Sequence, residues 1–393
     1  MPRALLLLLV VGCAGPAKDP AGSSPLAGVP PVTEVGPLAT DFDVEHYHLE
    51  LSIDPAARRL DGVCRVRLFP LVDQLRTVNL DLVGLETRSV TDAAGHALDF
   101  AHFEGRLRIE LDAPVPRGRP LELTVAYGGT PSVGFYFVGG APPTHVFTQG
   151  CCDDARGWFP CQDHPSDRAT SELWLDLPAS WTAVAAGERI EVREVDGRRR
   201  EGWRMHTPHP TYLESLVAGE LASTAGEWEG VPLSFHAPRE FEARLAVNLD
   251  ATDDALAFLG RLTGRRYPYA KYATSCVEDF PFGGMENVSA TTLGVLALRD
   301  ATGRADRTAD DLVVHEAAHQ WFGDLLTCAD WSESWLNEGF ATYCTGLWLE
   351  DTRGAADLQL WMDDTIAAYL EGDTAHPRAL VHGRCREPLD LFL

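Results

Sequence analysis

His315 and His319 stand four positions apart in the run Leu312-Val-Val-His-Glu-Ala-Ala-His319, and no other feature constrains the chain as strongly. A helical turn takes about 3.6 residues, so on a helix both imidazoles leave from one face and can reach a single metal ion. Glu316, next to the first histidine, is rotated about 100° around the axis. It flanks the ion instead of binding it, where a carboxylate can take a proton from the water that the metal activates. The flanks favour a helix. Thr308 with Asp311 reads as a capping box, Asp310 adds charge that the helix dipole favours, and Gly323 reads as a stop. Taken alone, this pattern also fits a solvated helix with an incidental histidine pair.

A second segment removes that ambiguity. Trp331-Ser-Glu-Ser-Trp-Leu-Asn-Glu338-Gly-Phe340 reads as the start of another helix and places Glu338 nineteen positions after His319. Two histidines and one glutamate leave the fourth position of a zinc ion open, which is the catalytic arrangement and not the structural one. The expected cofactor is one Zn2+ per chain, held by His315, His319 and Glu338, with Glu316 as general base.

Upstream, Phe282-Gly283-Gly284-Met285-Glu286-Asn287 is similar to the G-x-M-E-N motif of the aminopeptidase N family of gluzincin metallopeptidases. The zinc motif and the WLNEGFA stretch resemble that family as well. An enzyme that trims amino termini must tell a free ammonium group from an internal amide, and a cleft carboxylate does so through charge-assisted hydrogen bonds. Glu286 is the candidate. Gly283 and Gly284 would let the backbone approach an extended substrate, and the strand edge could pair with the peptide main chain. As bare sequence, Pro-Phe-Gly-Gly is also turn chemistry.

The resemblance extends into the preceding half. Thr148-Gln149-Gly150 and the run Ala155-Arg-Gly-Trp-Phe-Pro-Cys-Gln-Asp-His-Pro165 match the family's TQ…ARxWFPCxDxP block, which borders the active site. It implies that Gln149 lies near the substrate. An acidic or amide residue two positions on helps hold the α-amine in relatives. Cys151 occupies that place here, followed by Cys152, Asp153 and Asp154, a departure from the pattern.

At 393 residues the chain exceeds one ordinary core, so more than one domain is expected. Its net charge of −25 argues against nucleic acid and against anionic lipid surfaces as partners. Residues 1–13 carry Arg3, an apolar run from Ala4 to Val11, and Val10-Val11-Gly12-Cys13. Such a run is too short to span a bilayer, which takes about 20 residues, but it suits a secretory signal. The last four residues resemble a bacterial lipobox. The expectation is export to the bacterial cell envelope, with Cys13 lipidated and the membrane reached through that anchor alone. Residues 14–40, rich in Pro, Gly, Ala and Ser, read as a flexible tether.

From 41 to 225 short alternating runs such as His46–Ile53 and Arg117–Tyr127 recur between turn residues, Asp54-Pro55 and Asp196-Gly197 among them. They predict a β-sandwich. Pro210 to Glu220 fits the family's end-of-domain strand. Residues 226–393 are expected to form a thermolysin-like α/β domain, with a helix over Phe241–Leu262 and a strand ending at Phe282. In the family a tyrosine further on, within F-D-x-x-x-Y, stabilises the oxyanion. Glu387-Pro-Leu-Asp-Leu-Phe392 resembles the lead-in to that stretch before Leu393, so the resemblance implies a C-terminally incomplete catalytic domain. The expected activity is zinc-dependent removal of amino-terminal residues from peptides with a free amino terminus. A thermolysin-like endopeptidase and an inactive peptide-binding surface protein are the alternatives.

Overall fold

The computed structural model describes residues 33–34, 38, 40–248, 251–298, 309–375, 379–381 and 384–385. Cys13 with its signal segment, most of the expected tether, Thr308 of the capping box and the run 387–392 lie outside the described residues. Among the described residues no helix is long and apolar enough to cross a membrane.

The first half is built from period-two strands. Phe42–Asp54 buries Phe42 and Val44, then changes phase and buries Tyr47, Leu49, Leu51 and Ile53. The phase change falls where its pairing with Arg59–Pro70 slips between Val44 and His46. An extra residue in one strand, a bulge, shifts every later side chain to the opposite face. Both expected turns form. Asp54 Oδ1 accepts from Ala57 N at 3.1 Å, and Asp196-Gly197, with φ of 51° and 74°, closes a two-residue hairpin. Positive φ at both positions matches the twist of the flanking strands, which is why Asp-Gly suits such a hairpin. The strand expected from Arg117 starts at Leu121, because Arg119 N donates back to Pro116 O and Gly118 sits at φ 74°.

These strands form a seven-stranded mixed sheet, a three-stranded sheet (Leu75–Asp81, Phe100–Phe103, Arg106–Val115) and a four-stranded sheet (Phe135–Val138, His145–Thr148, Thr182–Ala185, Leu216–Gly219). One continuous core lies between them, with Leu51 and Val66 from the first, Val78 and Ile109 from the second, and Val146 and Leu216 from the third.

The second half carries a five-stranded sheet in the order Leu221–Trp228, Val231–Pro238, Tyr272–Val277, Ala290–Gly294, Gly284–Met285. The three middle strands are parallel and the outer pairings antiparallel. Leu221–Trp228 runs across residue 226 and pairs into this second sheet. The helices are α1 (Glu242–Asn248), α2 (Ala251–Thr263), α3 (Asp310–His319), α4 (Trp335–Arg353) and α5 (Ala355–Ala375). The helix expected over Phe241–Leu262 therefore arrives as two pieces after a 3-10 turn at Arg239–Phe241. Leu256 and Leu259 of α2 are fully buried, each contributing about 1.5–3 kcal/mol of transfer free energy. The strand expected to reach Phe282 ends at Val277. Asp279 takes a left-handed φ of 56°, which a strand cannot continue through.

A smaller core joins the halves: Phe147, Val184 and Val217 of the four-stranded sheet meet Ala273, Val277 and Ala290 of the second sheet. The edge strand Gly284–Met285 and helix α3 are both set against this scaffold, and that places the site.

Candidate active site

Helix α3 starts with Ala309 at its N-cap position, which offers no capping side chain, and carries Asp310 and Asp311 in its first turn. It ends at His319. Four residues later Gly323, at φ 134°, turns the chain, and Asp324 N donates to His319 O at 3.0 Å. Along α3 the residues Val313, Val314, Ala317 and Ala318 are buried. The histidines thus sit on an immobilised helix instead of a solvated one. Helix α4 ends on Gly354, at φ 92°, whose N–H closes on Glu350 O and Leu349 O, as C-terminal glycines commonly do. Phe322 and Phe340 stack with ring centroids 5.0 Å apart, pinning the loop after α3 to the first turns of α4.

The three expected metal ligands meet. His315 Nε2 and His319 Nε2 are 3.0 Å apart, and Glu338 Oε2 lies 3.4 Å from the first and 3.7 Å from the second. Ligands about 2.0–2.1 Å from a tetrahedral ion stand about 3.3–3.4 Å from one another, so the triangle has the size of one zinc. His319 Nδ1 lies 2.9 Å from Phe322 O. A proton shared there leaves Nε2 free to coordinate, the usual way such a ring is oriented.

The charge balance points the same way. Glu286, Glu316, Asp324 and Glu338 are all buried around the two imidazoles. Among the described residues both oxygens of Glu316 and of Asp324, and Oε2 of Glu338, have no hydrogen-bond partner. Unpaired buried charges are costly, so such a cluster either takes up protons or surrounds a cation. Without the cation, the groups share protons. Burial pushes Glu316 well above the ordinary carboxylate range, with Glu286 and Glu338 adding to the shift. Burial likewise raises Glu286. Burial opposes a charged His319, yet Glu286 and Glu338 outweigh it and hold the imidazole well above its usual range. Burial would raise Glu338 too, but His319 and His315 pull it far down. A divalent cation at the triangle replaces those protons, and the donor set fits zinc.

Glu316 and the glycine pair are in direct register. A Cβ on Gly284 would stand 2.1 Å from Glu316 Oε1, so the strand passes the Glu316 carboxylate at a distance only glycine permits. Gly283 is exposed, and a Cβ there would meet Leu312 at an ordinary 3.5 Å. Gly284→Ala is accordingly expected to displace the Glu316 carboxylate and lower kcat by about 100-fold, the scale of a misplaced catalytic group. Gly283→Ala should leave kcat within about threefold, and steady-state rates of the two variants check the contrast.

The remaining expected residues separate by role. Glu286 is 6% exposed, and Gln320 Nε2 donates to its carbonyl at 3.0 Å. Met285 pairs with Thr292 and buries its side chain in the core of the second half. Asn287 is fully buried and donates from Nδ2 to Thr292 Oγ1 at 3.0 Å. Gln149 is buried, and its Oε1 accepts from Cys151 N at 3.4 Å.

Sequence reasoning missed the residues that hold these parts together. Gln320 also accepts from Ser289 N at 2.9 Å and from Tyr267 OH at 3.3 Å, tying α3 to the segment after Glu286. Pro210–Glu220, expected as a strand, is a 3-10 turn at Thr211–Leu213 followed by a strand at Leu216–Gly219. The turn buries Tyr212, whose hydroxyl accepts from Asn337 Nδ2 at 3.2 Å and donates to Gly323 O at 3.4 Å. Arg156 and Asp163 of the Trp-Phe-Pro-Cys block support that turn: Arg156 N donates to Asp163 Oδ2 at 2.9 Å, and Thr211 Oγ1 donates to Asp163 Oδ1 at 2.7 Å. Arg168 reaches across to Asp324 O at 2.8 Å. The available signal was a polar residue beside each ligand, Gln320 after His319 and Asn337 before Glu338. Tyr212 carried none.

A His-His-Glu triangle with an unpaired carboxylate beside it, set between a β-rich half and an α/β half, has the make-up of a mononuclear metal centre. Residues 43–213 match the Peptidase M1 N-terminal domain and 247–387 the Peptidase family M1 domain. The chain belongs to peptidase family M1, the aminopeptidase N group of gluzincins, whose metal is zinc. It is 30% identical over 333 residues to aminopeptidase B of Mus musculus, covering 77% of this chain and 49% of that protein. It is 33% identical over 204 residues to aminopeptidase N of Acetobacter pasteurianus, covering 50% and 58%. The M1 zinc metallopeptidase of Deinococcus radiodurans superposes with a TM-score of 0.75 at 26% identity, covering 89% of this chain and 79% of that one. A mutant of that enzyme bound to a Tyr-Ser-Ala substrate superposes with a TM-score of 0.76 at 27% identity. The chain spans about half the length of the aminopeptidase B relatives it matches.

Proposed function

We propose that this chain is a zinc-dependent aminopeptidase acting on peptides with a free amino terminus. One observation carries the reading: Glu286 is buried within charge range of His319 and Glu338, one residue beyond an edge strand that touches Glu316. An extended peptide adds to the open edge of Gly284–Met285 through main-chain hydrogen bonds. Glu286 receives its ammonium group, and the burial that raises this carboxylate on its own makes a cationic partner favourable there. Zinc, when bound, polarises a carbonyl and lowers the pKa of a water from about 15.7 to about 7. Glu316 takes the proton of the attacking water and delivers it to the leaving amine. Its carboxylate has no competing hydrogen bond among the described residues, so it is available for both transfers.

The test compares a free-amine dipeptide arylamide with its N-acetylated counterpart. The native protein should prefer the free amine by at least about 100-fold, and Glu286→Gln should erase most of that preference mainly through KM, since the lost contact is a charge-assisted one. Equal or better cleavage of blocked peptides at internal bonds would favour an endopeptidase instead.

We also propose an exported, lipid-anchored location in a bacterial cell envelope, supported by Arg3, the apolar run to Val11 and the lipobox-like residues ending at Cys13. Cys13→Ser should shift the protein from the membrane fraction to the soluble fraction. An unchanged distribution would overturn the anchor.

A further inference from the structure

Cys151 and Cys152 are adjacent in the turn after Gln149, and their Sγ atoms stand 3.2 Å apart. Both are thiols. Cys152 is 2% exposed, in the core shared with Tyr212 and Met285, while Cys151 is half-buried and packs against that core. The turn is held rigidly on the site's own framework. Cys151 N donates to Gln149 Oε1, and a Cβ on Gly150 would stand 2.4 Å from Tyr212 O. Tyr212 in turn accepts from Asn337, the residue before Glu338. The contact with Cys152 and burial push the Cys151 thiol well up, and the charges of Glu286 and Glu338 add to the shift. Burial raises Cys152 to about 11. Two thiols kept protonated at neutral pH are slow nucleophiles towards disulfides and peroxides. Nothing in the zinc chemistry uses them.

We propose that Cys151 and Cys152 form a dithiol site at the amine-binding end of the cleft, which takes one thiophilic, trivalent centre of the arsenical type bridged between both sulfurs. Soft sulfur donors favour soft, thiophilic centres, and a fixed pair gains over two separate thiols because the second bond is intramolecular. The reaction with an arsine oxide is balanced without an oxidant. Two S–H bonds and the As–O bond break, two As–S bonds form, and the oxygen leaves with both protons as water. Arsenic stays trivalent. Protonated thiols are the stoichiometric reactants, so the raised thiols do not oppose it. The bridged group sits on the turn packed against Tyr212 and within charge range of Glu286, the carboxylate assigned to the amine, so its capture blocks amine binding. That consequence rests on the aminopeptidase reading, whereas the adduct does not.

The experiment is titration of the zinc-loaded protein with phenylarsine oxide, followed by intact mass. One phenylarsenic adduct per chain is expected, removed by a dithiol such as 2,3-dimercaptopropanol and resistant to a tenfold larger concentration of 2-mercaptoethanol. Cys151→Ala and Cys152→Ser should each abolish the adduct, and Cys328→Ser should keep it. Because Cys152 is buried, the half-buried Cys151 provides the variant that folds. An adduct that survives Cys151→Ala, or that a monothiol removes equally well, overturns the dithiol site. A substrate amino acid at saturating concentration should slow adduct formation at least tenfold. A normal adduct without that protection would overturn its place at the amine end while leaving the dithiol intact.

Discussion

Glu316→Gln is expected to lower kcat by about 10²–10⁴-fold, the usual worth of a positioned general base, with the zinc content unchanged. The amide keeps the shape and fills the space beside Gly284 but cannot accept the proton. Because Glu316 is not one of the three atoms of the triangle, metal analysis after gel filtration should still return one zinc per chain. A variant that lost zinc in parallel with activity would show Glu316 to be a ligand and would sink the assignment. One that kept more than a tenth of the native rate would pass the proton transfer to another residue.

His319→Ala should have the larger consequence for the folded protein. Its Nε2 belongs to the triangle and its Nδ1 shares a proton with Phe322 O, so the truncation removes a ligand and the bond that orients it. Zinc retained after gel filtration should fall below a tenth of the native content. Chelation of the native protein reproduces the effect. At free zinc a thousandfold above its Kd, binding adds about 4 kcal/mol to stability, and the melting temperature should drop accordingly on adding chelator. The His319→Ala variant should show no further drop. Undiminished zinc in that variant would mean the ion sits elsewhere.

The two expectations separate the functions of neighbouring side chains on α3, one for proton transfer and one for holding the ion. Their separation is local. Three positions along a helix turn a side chain by about 300°, which leaves Glu316 and His319 about 60° apart around the axis, and Gly284 occupies the side of the helix towards which Glu316 points. The same close approach brings the strand that leads into Glu286 near enough to complete the site. It also explains why a change as small as one methyl group at residue 284 is expected to matter.

Much of this centre was legible in the chain because its spacing is helical. The positions His315, Glu316 and His319 commit a face and a flank to any helix that includes them, and α3 delivers both. Asp-Gly at 196–197 committed a hairpin for an equally local reason, the left-handed φ at both positions. Less local features were misjudged. The strand towards Phe282 stopped at Val277 because of a single left-handed residue, and Pro210–Glu220 broke into a turn and a strand.

What the amino-acid order determined by itself was which residues are the candidate ligands and the candidate base, since period and residue type are properties of neighbours along the chain. What only the tertiary structure decided was their company. Glu338 reaches the histidines from α4, Gly284 abuts Glu316 from an edge strand, and Gln320, Tyr212 and Asn337 lock those elements together. Tyr212 comes from the β-rich half, more than a hundred positions from the helix it supports. The physical reason is burial. Once the carboxylates and imidazoles leave water, each must find a partner or an ion, and those partners are chosen by packing between distant segments that no local pattern announces.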